Sequence, residues 1–244
     1  RHLARLAAAY SQGAPFRPYI PEASGNDPAL VLAGADLART ADAIAAGAFT
    51  NAGQLCMATK RIIVQSHVWP EFQPLLQESV ERLVVGDPSR RETDVAPLGE
   101  GKGVGRARTA LVEAVALGGE IVAGHGEQGP FFTPTVVLLP RAATDTILWS
   151  EESFAPLRGL MLAADAQDAL ALANADAHGL GASVFGDGEV IIPHLRAARV
   201  VVNEHPLYQD PHFVVGGIGD SGMFGSRPKI EQLVYARRVH RAGQ

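Results

Sequence analysis

Apolar positions along this 244-residue chain follow two alternating rhythms. Short, largely β-branched runs read as strands: RIIVQ at 61–65, EIVAGH at 120–125, TPTVVLL at 133–139, ASVFG at 182–186 and RVVVN at 199–203. Segments with apolar residues at helical spacing lie between them. AGADLARTADAIAAGAFTNAG starts near Asp36, carries Leu37, Ile44, Ala48 and Phe49 on one side, and stops at Gly53. HVWPEFQPLLQESVERLVV, RARTALVEAVALGG, DAQDALALANADA and VIIPHLRAA read as further helices, and HLARLAAAY as a helix at the start. Strands that alternate with helices and are apolar at nearly every position predict an α/β fold: a mostly parallel sheet with helices on both faces.

The punctuation places the loops. SQGAPFRP at 11–18 breaks the opening helix, and YIPEASGNDPALVL reads as extended, turn, extended, which puts Glu22 in a loop. The alternation in LVYARRV, within the last stretch of the chain, suits an edge or exchanged strand. The chain opens on Arg1 inside a helical pattern with no capping residue before it, which predicts that it is part of a longer polypeptide.

Composition narrows the function classes. With 47% hydrophobic and 19% charged residues the chain can bury a substantial core. The net charge of −5, with Lys and Arg scattered, argues against a nucleic-acid partner. No apolar run reaches the roughly 18 residues of a membrane span, so the expectation is a protein without a membrane partner. A single cysteine excludes an intrachain disulfide and a Cys-rich zinc site, and the eight histidines show no HxxxH or HExxH spacing, so no metal is expected and a reducing cytoplasm is the default. GIGDSG at 217–222 satisfies GxGxxG literally, but too few residues follow for a βαβ unit, and it reads as a loop lining a site. GEGKGVG at 99–105 lacks the GK[ST] ending of a phosphate loop and reads as a surface turn.

The one cysteine lies in NAGQLC. Free cysteines are commonly buried small hydrophobes. Cys56, however, falls in a loop between helix and strand, where it is accessible and where turn N–H groups can stabilise an oxyanion. A thiol there needs a base, and Glu22 is the nearest candidate in a site-like loop. Lys60 and Arg61 read as strand-end surface charges.

PEASGNDPALV followed by GQLCMATKRIIV resembles the paired signatures of the aldehyde dehydrogenase superfamily, in which the glutamate of E-L-G-G-x-x-P precedes the catalytic cysteine of G-Q-x-C by this same interval. EESFAPL is similar to that family's E-E-x-F-G-P-V, ANADAHGLGASVF to A-N-x-x-x-Y-G-L-A-A-x-V-F, GPFFTPTVV to G-x-F-x-x-P-T-V, and GGIGDSGMFG to F-G-G-x-x-x-S-G-x-G. The resemblance covers essentially residues 1 to 240, in family order. It implies oxidation of a small aldehyde to a carboxylic acid with NAD or NADP, through a Cys56 thiohemiacetal and a thioester hydrolysed with Glu22 as general base. It implies that Glu152, Phe154 and Gly25 meet the cofactor, and that Gln54, Leu55, Met57 and Asn203 line the substrate pocket, although Asn203 reads equally as a turn residue. It also implies a homodimer or homotetramer paired through the C-terminal strand.

The chain departs from the family pattern at Ala23 and Ser24, where Leu-Gly is usual, at Ala155 for glycine, at Val214 and Val215 for Pro-Phe, and at His178 for tyrosine. The family's main dinucleotide-binding domain lies upstream of the glutamate. The implied layout is therefore residues 1–20 as a remnant of that domain, 21–225 as the catalytic α/β domain, and 226–244 as the segment with the oligomerisation strand. Two other readings stand beside the dehydrogenase: a non-catalytic dehydrogenase-like scaffold, or a cofactor-independent esterase or thioesterase using Cys56.

Overall fold

The computed structural model describes residues 21–98, 102–124, 127–128, 131–208, 216–222 and 225. The opening helix and the C-terminal strand expected from sequence lie outside the described residues. Nine strands are described: β1 (Pro28–Val31), β2 (Arg61–Gln65), β3 (Glu120–Ala123), β4 (Glu127–Gln128), β5 (Phe131–Phe132), β6 (Thr135–Leu138), β7 (Leu157–Ala163), β8 (Gly181–Phe185) and β9 (Arg199–Val202). Five α-helices accompany them: α1 (Leu37–Phe49), α2 (Trp69–Glu81), α3 (Lys102–Ala116), α4 (Ile147–Ser150) and α5 (Ala166–Asn174).

Seven strands form one sheet in the order β3-β6-β7-β2-β1-β8-β9, parallel except for the antiparallel pair of β3 with β6; β4 and β5 form a separate small hairpin. The strands are apolar without alternation because both faces are covered. In β1, Ala29 and Val31 join α1 and α2 residues such as Ile44, Phe49, Phe72 and Leu76 on one face. Leu30 points the other way and packs with Ala107, Ala110 and Ala114 of α3 and Leu172 of α5. The crossover β1-α1-β2 and the crossover β7-α5-β8 step in opposite directions across the sheet. Right-handed connections therefore place α1 and α5 on opposite faces, as observed.

Local chemistry explains the helix boundaries. Asp36 caps α1 by accepting the Arg39 N–H at 3.2 Å, and Asp165 caps α5 by accepting the Asp168 N–H at 2.8 Å. Two sequence expectations are corrected. VIIPHLRAA forms only a 3-10 turn at Ile192–His194, with Leu195 already extended; Pro193 has no N–H to donate and disfavours α geometry at Ile192. Lys102 to Gly105 belong to the first turn of α3 rather than to a surface turn, at positions whose N–H groups need no partner within the helix.

Candidate active site

Four loops converge at the N-terminal ends of adjacent central strands: 22–27 before β1, 51–60 before β2, 151–156 before β7 and 175–180 before β8. The cysteine loop begins with unusual backbone. Asn51, Ala52 and Gly53 all have positive φ, at 55°, 55° and 72°. Two non-glycine residues in succession there are strained and persist only where tertiary contacts hold them. Arg158 is the main clamp: fully buried, it donates to the carbonyls of Ala155 (2.7 Å), Leu157 (2.8 Å) and Ala48 (2.5 Å) and stacks over Phe49. A Cβ on Gly53 would meet the Arg158 guanidinium at 2.1 Å.

Lys60 and Arg61 correct the sequence reading outright, since both are buried, at 1% and 2% exposure. Lys60 Nζ donates to the carbonyls of Leu55 (2.5 Å) and Cys56 (2.7 Å), so it ties down the cysteine loop. It also lies 3.9 Å from Glu152 Oε1 and 5.6 Å from the centre of the Phe154 ring. Burial, then the nearby Arg158 charge, lower its pKa to about 8 against the pull of Asp27 and Glu152. Arg61 donates to the carbonyls of Asn26 (2.9 Å), Leu172 (3.1 Å) and Ala173 (3.0 Å). The Leu172 and Ala173 carbonyls lie in the last turn of α5, where no helical N–H follows to pair them, and the Asn26 carbonyl lies in the loop before β1; one cation with several N–H groups satisfies all three.

The glutamate loop reaches the cysteine loop through Gly25. A Cβ there would lie 2.4 Å from the Cys56 carbonyl oxygen, so only glycine permits the approach. The Cys56 thiol is half-buried and its pKa is pushed up to about 11, first by burial, then by its hydrogen bond to Glu22 and that carboxylate's charge; Lys60 and the Met57 N–H act the other way. The resting sulfur is thus a thiol hydrogen-bonded to the Glu22 side chain. Glu22 itself is exposed and forms an antiparallel bridge with Gly222, while Ala23 N–H donates to Ser221 O at 3.0 Å, so the GIGDSG loop lies along the glutamate loop.

Glu152 accepts the Gly25 N–H at 2.8 Å. Its pKa is raised, chiefly by burial. Phe154, 45% exposed, stands beside it on the wall of a cavity of about 520 Å³, which Ser24, Arg106 and His178 also line. Gln54 and Leu55 are half-buried next to Cys56, whereas Met57 is buried, at 8% exposure. Asn203 is not part of this assembly. It follows β9 at the opposite end of the sheet, exposed, with φ 54°, and its Oδ1 accepts the Gly186 N–H at 3.0 Å: a turn residue. Among the described residues no cluster of His, Cys, Asp and Glu could hold a metal ion.

Residues 2–236 match the aldehyde dehydrogenase family. The chain belongs to that family. It is 30% identical over 239 residues to the sulfoacetaldehyde dehydrogenase of Neptuniibacter caesariensis, covering 96% of this chain and 52% of that protein. It is 31% identical over 230 residues to the vanillin dehydrogenase of Pseudomonas fluorescens, covering 92% and 47%. Among solved structures, the NADP-dependent glyceraldehyde-3-phosphate dehydrogenase of Bacillus halodurans C-125, complexed with NADP, superposes with a TM-score of 0.82 at 31% identity, covering 94% of this chain and 48% of that one. The chain spans about half the length of the curated relatives it matches. The mostly parallel seven-stranded sheet with its helices is the aldehyde dehydrogenase fold.

The sequence motifs pointed to Cys56, Glu22, Gly25, Glu152 and Phe154, and the structure gathers them. Lys60 and Arg61 were read as surface charges, and Arg158 was not singled out, because a basic residue at a strand end is ordinarily solvated.

Proposed function

We propose that this chain carries the catalytic half of an NAD(P)-dependent aldehyde dehydrogenase that oxidises a small aldehyde to its carboxylic acid. The contact that carries the reading is Cys56 against Glu22, brought together by the Gly25 approach to the Cys56 carbonyl. The Cys56 sulfur attacks the aldehyde carbon as Glu22 takes the thiol proton, giving a thiohemiacetal. The N–H groups of the cysteine loop, whose Leu55 and Cys56 carbonyls accept from Lys60 and whose Gly53 carbonyl accepts from Arg158, are suited to stabilise its oxyanion. Glu152 and the exposed face of Phe154 fit a ribose and an aromatic ring, because a carboxylate accepts hydrogen bonds from hydroxyl groups and the ring offers a flat apolar surface. Bound NAD(P) supplies the two-electron acceptor that turns the thiohemiacetal into a thioester. Glu22, once it has released the thiol proton to solvent, deprotonates the water that cleaves the thioester and passes that proton to the departing Cys56 sulfur, which restores the thiol.

The test is intact-peptide mass spectrometry after rapid mixing with benzaldehyde and NAD⁺ or NADP⁺. A benzoyl adduct on the Cys56 peptide is expected, formed more slowly in Glu22→Gln and persisting there once formed. Oxidation without any adduct in Glu22→Gln would overturn the roles given to the two residues.

A further inference from the structure

The same loops hold a second set of residues that aldehyde oxidation does not use. His178 Nδ1 lies 2.6 Å from Asp176 Oδ1, and His178 Nε2 lies 3.1 Å from Ser24 Oγ. Asp176 is fixed on several sides. Its Oδ1 also accepts the His178 main-chain N–H at 2.7 Å, its Oδ2 accepts the Asn26 side-chain amide, and Arg61 Nε stands 3.9 Å away. Burial alone would raise its pKa, but the His178 hydrogen bonds, the Arg61 charge and the Asn26 amide outweigh burial and hold it at about 2. An aspartate ionised at all working pH values keeps the proton on Nδ1, which leaves Nε2 of the neutral ring to accept from the Ser24 hydroxyl. Ser24 is anchored as well, because its carbonyl accepts the Ser221 hydroxyl at 2.6 Å.

Ser24 and His178 both open onto the 520 Å³ cavity, beside the Phe154 ring. The next N–H along the chain, that of Gly25, points to the same place and now donates to Glu152 Oε1. An N–H on the residue after the nucleophile is the donor that serine acyl transfer uses for its oxyanion. The family pattern has glycine and tyrosine at positions 24 and 178, so the two members that face the cavity are both departures of this chain.

We propose that Ser24, His178 and Asp176 form a nucleophile, base and orienting acid that hydrolyse small uncharged aryl esters independently of Cys56 and of any dinucleotide. The Ser24 oxygen bonds to the ester carbonyl carbon as its proton passes to His178 Nε2. The tetrahedral oxyanion takes the place of Glu152 at the Gly25 N–H. The bond to the aryl oxygen breaks, and that oxygen leaves with the proton from His178. Water repeats the sequence on the acyl-serine, giving the free acid and restoring Ser24. Arg106 and Glu151 pair at 3.6 Å on the wall, which leaves Glu152 to disfavour anionic esters, while the Phe154 face suits an aryl leaving group. The hydrogen bond that His178 donates to Asp176, and the charges of Asp176, Glu152 and Asp220, raise the His178 pKa above its usual value, with burial opposing. Because only the neutral ring can take the serine proton, ester hydrolysis rises with pH through that pKa.

The experiment uses the purified Cys56→Ala protein with 4-nitrophenyl acetate and a fluorophosphonate probe, with no dinucleotide or aldehyde added. The expected result is nitrophenolate release at least tenfold above that of the Cys56→Ala/Ser24→Ala and Cys56→Ala/His178→Gln proteins, and probe mass on the peptide containing Ser24. Glu152→Ala in the same background frees the Gly25 N–H and is expected to raise the rate severalfold. Thermal melting confirms that each double variant is folded, and Cys56→Ala/Ser24→Gly supplies a second nucleophile deletion. Release equal in Cys56→Ala and in the folded double variants, or a label elsewhere, overturns the proposal. Either result leaves the dehydrogenase roles of Cys56 and Glu22 untouched, since the thiol and the cofactor take no part.

Discussion

The two ends of the parallel sheet are made from the same strands and are built in opposite ways. At the C-terminal end the chain turns by local means. Gly34 and Gly186 take positive φ, Asn203 does the same while its side chain closes onto Gly186, and Gln65 Oε1 accepts the Ala33 N–H at 2.9 Å. At the N-terminal end the loops are longer and partly buried, and carbonyls in and beside them are met by buried cations at the starts of the strands, Lys60, Arg61 and Arg158, each at most 2% exposed. Ligands of doubly wound sheets ordinarily lie beyond the C-terminal ends of the strands. Here the proposed site sits at the other end, where the backbone is irregular and held from a distance. Turns closed by neighbours in sequence need little else, whereas loops that must touch one another, as Gly25 touches Cys56, require buried donors to keep them in place.

Four substitutions break or sharpen that contrast. Cys56→Ala at the N-terminal end is expected to lower kcat/KM for aldehyde oxidation by about 10⁴-fold or more with little change in melting temperature, measured by NAD(P)H absorbance and calorimetry. Glu22→Gln should cost on the order of 10²- to 10⁴-fold in turnover. The same change sharpens the electrostatics. With the thiol at about 11, iodoacetamide alkylation of the wild-type protein should climb steadily from pH 7 to pH 10, and removing the Glu22 charge should move the whole profile to lower pH. A profile that does not move would mean that the carboxylate does not act on the sulfur.

Lys60→Met tests the clamp. Two buried carbonyls, of Leu55 and Cys56, lose their donor, and urea unfolding should show a loss of about 2 to 4 kcal/mol. Asn203→Ala is the control from the opposite end. It removes one exposed hydrogen bond and puts alanine at positive φ, so urea unfolding should lose about 1 kcal/mol, with aldehyde oxidation unchanged. If Asn203→Ala lowered turnover as strongly as Glu22→Gln, the division of labour between the two ends would fail.

What the sequence by itself determined is what depends on neighbours along the chain. Strand runs such as RIIVQ, the helix beginning at Asp36, and the family intervals that single out Glu22, Cys56, Glu152 and Phe154 are all local patterns, and they put the fold class in view. The misreadings arose where a partner lies far away. VIIPHLRAA has helical apolar spacing yet makes one 3-10 turn, because Pro193 removes a donor that spacing does not register. Lys60 and Arg61 look like surface charges until the loops before β1, β2 and β7 close over them. Only the tertiary structure decided that Ser24 meets His178 across 154 positions, that Gly25 meets Glu152 across 127, and that Asn203 lies at the wrong end of the sheet for the thiol. Periodicity records which face of an element is buried; it carries no information about which buried carbonyl or carboxylate will stand opposite a given side chain, since that is settled when the strands take their order in the sheet.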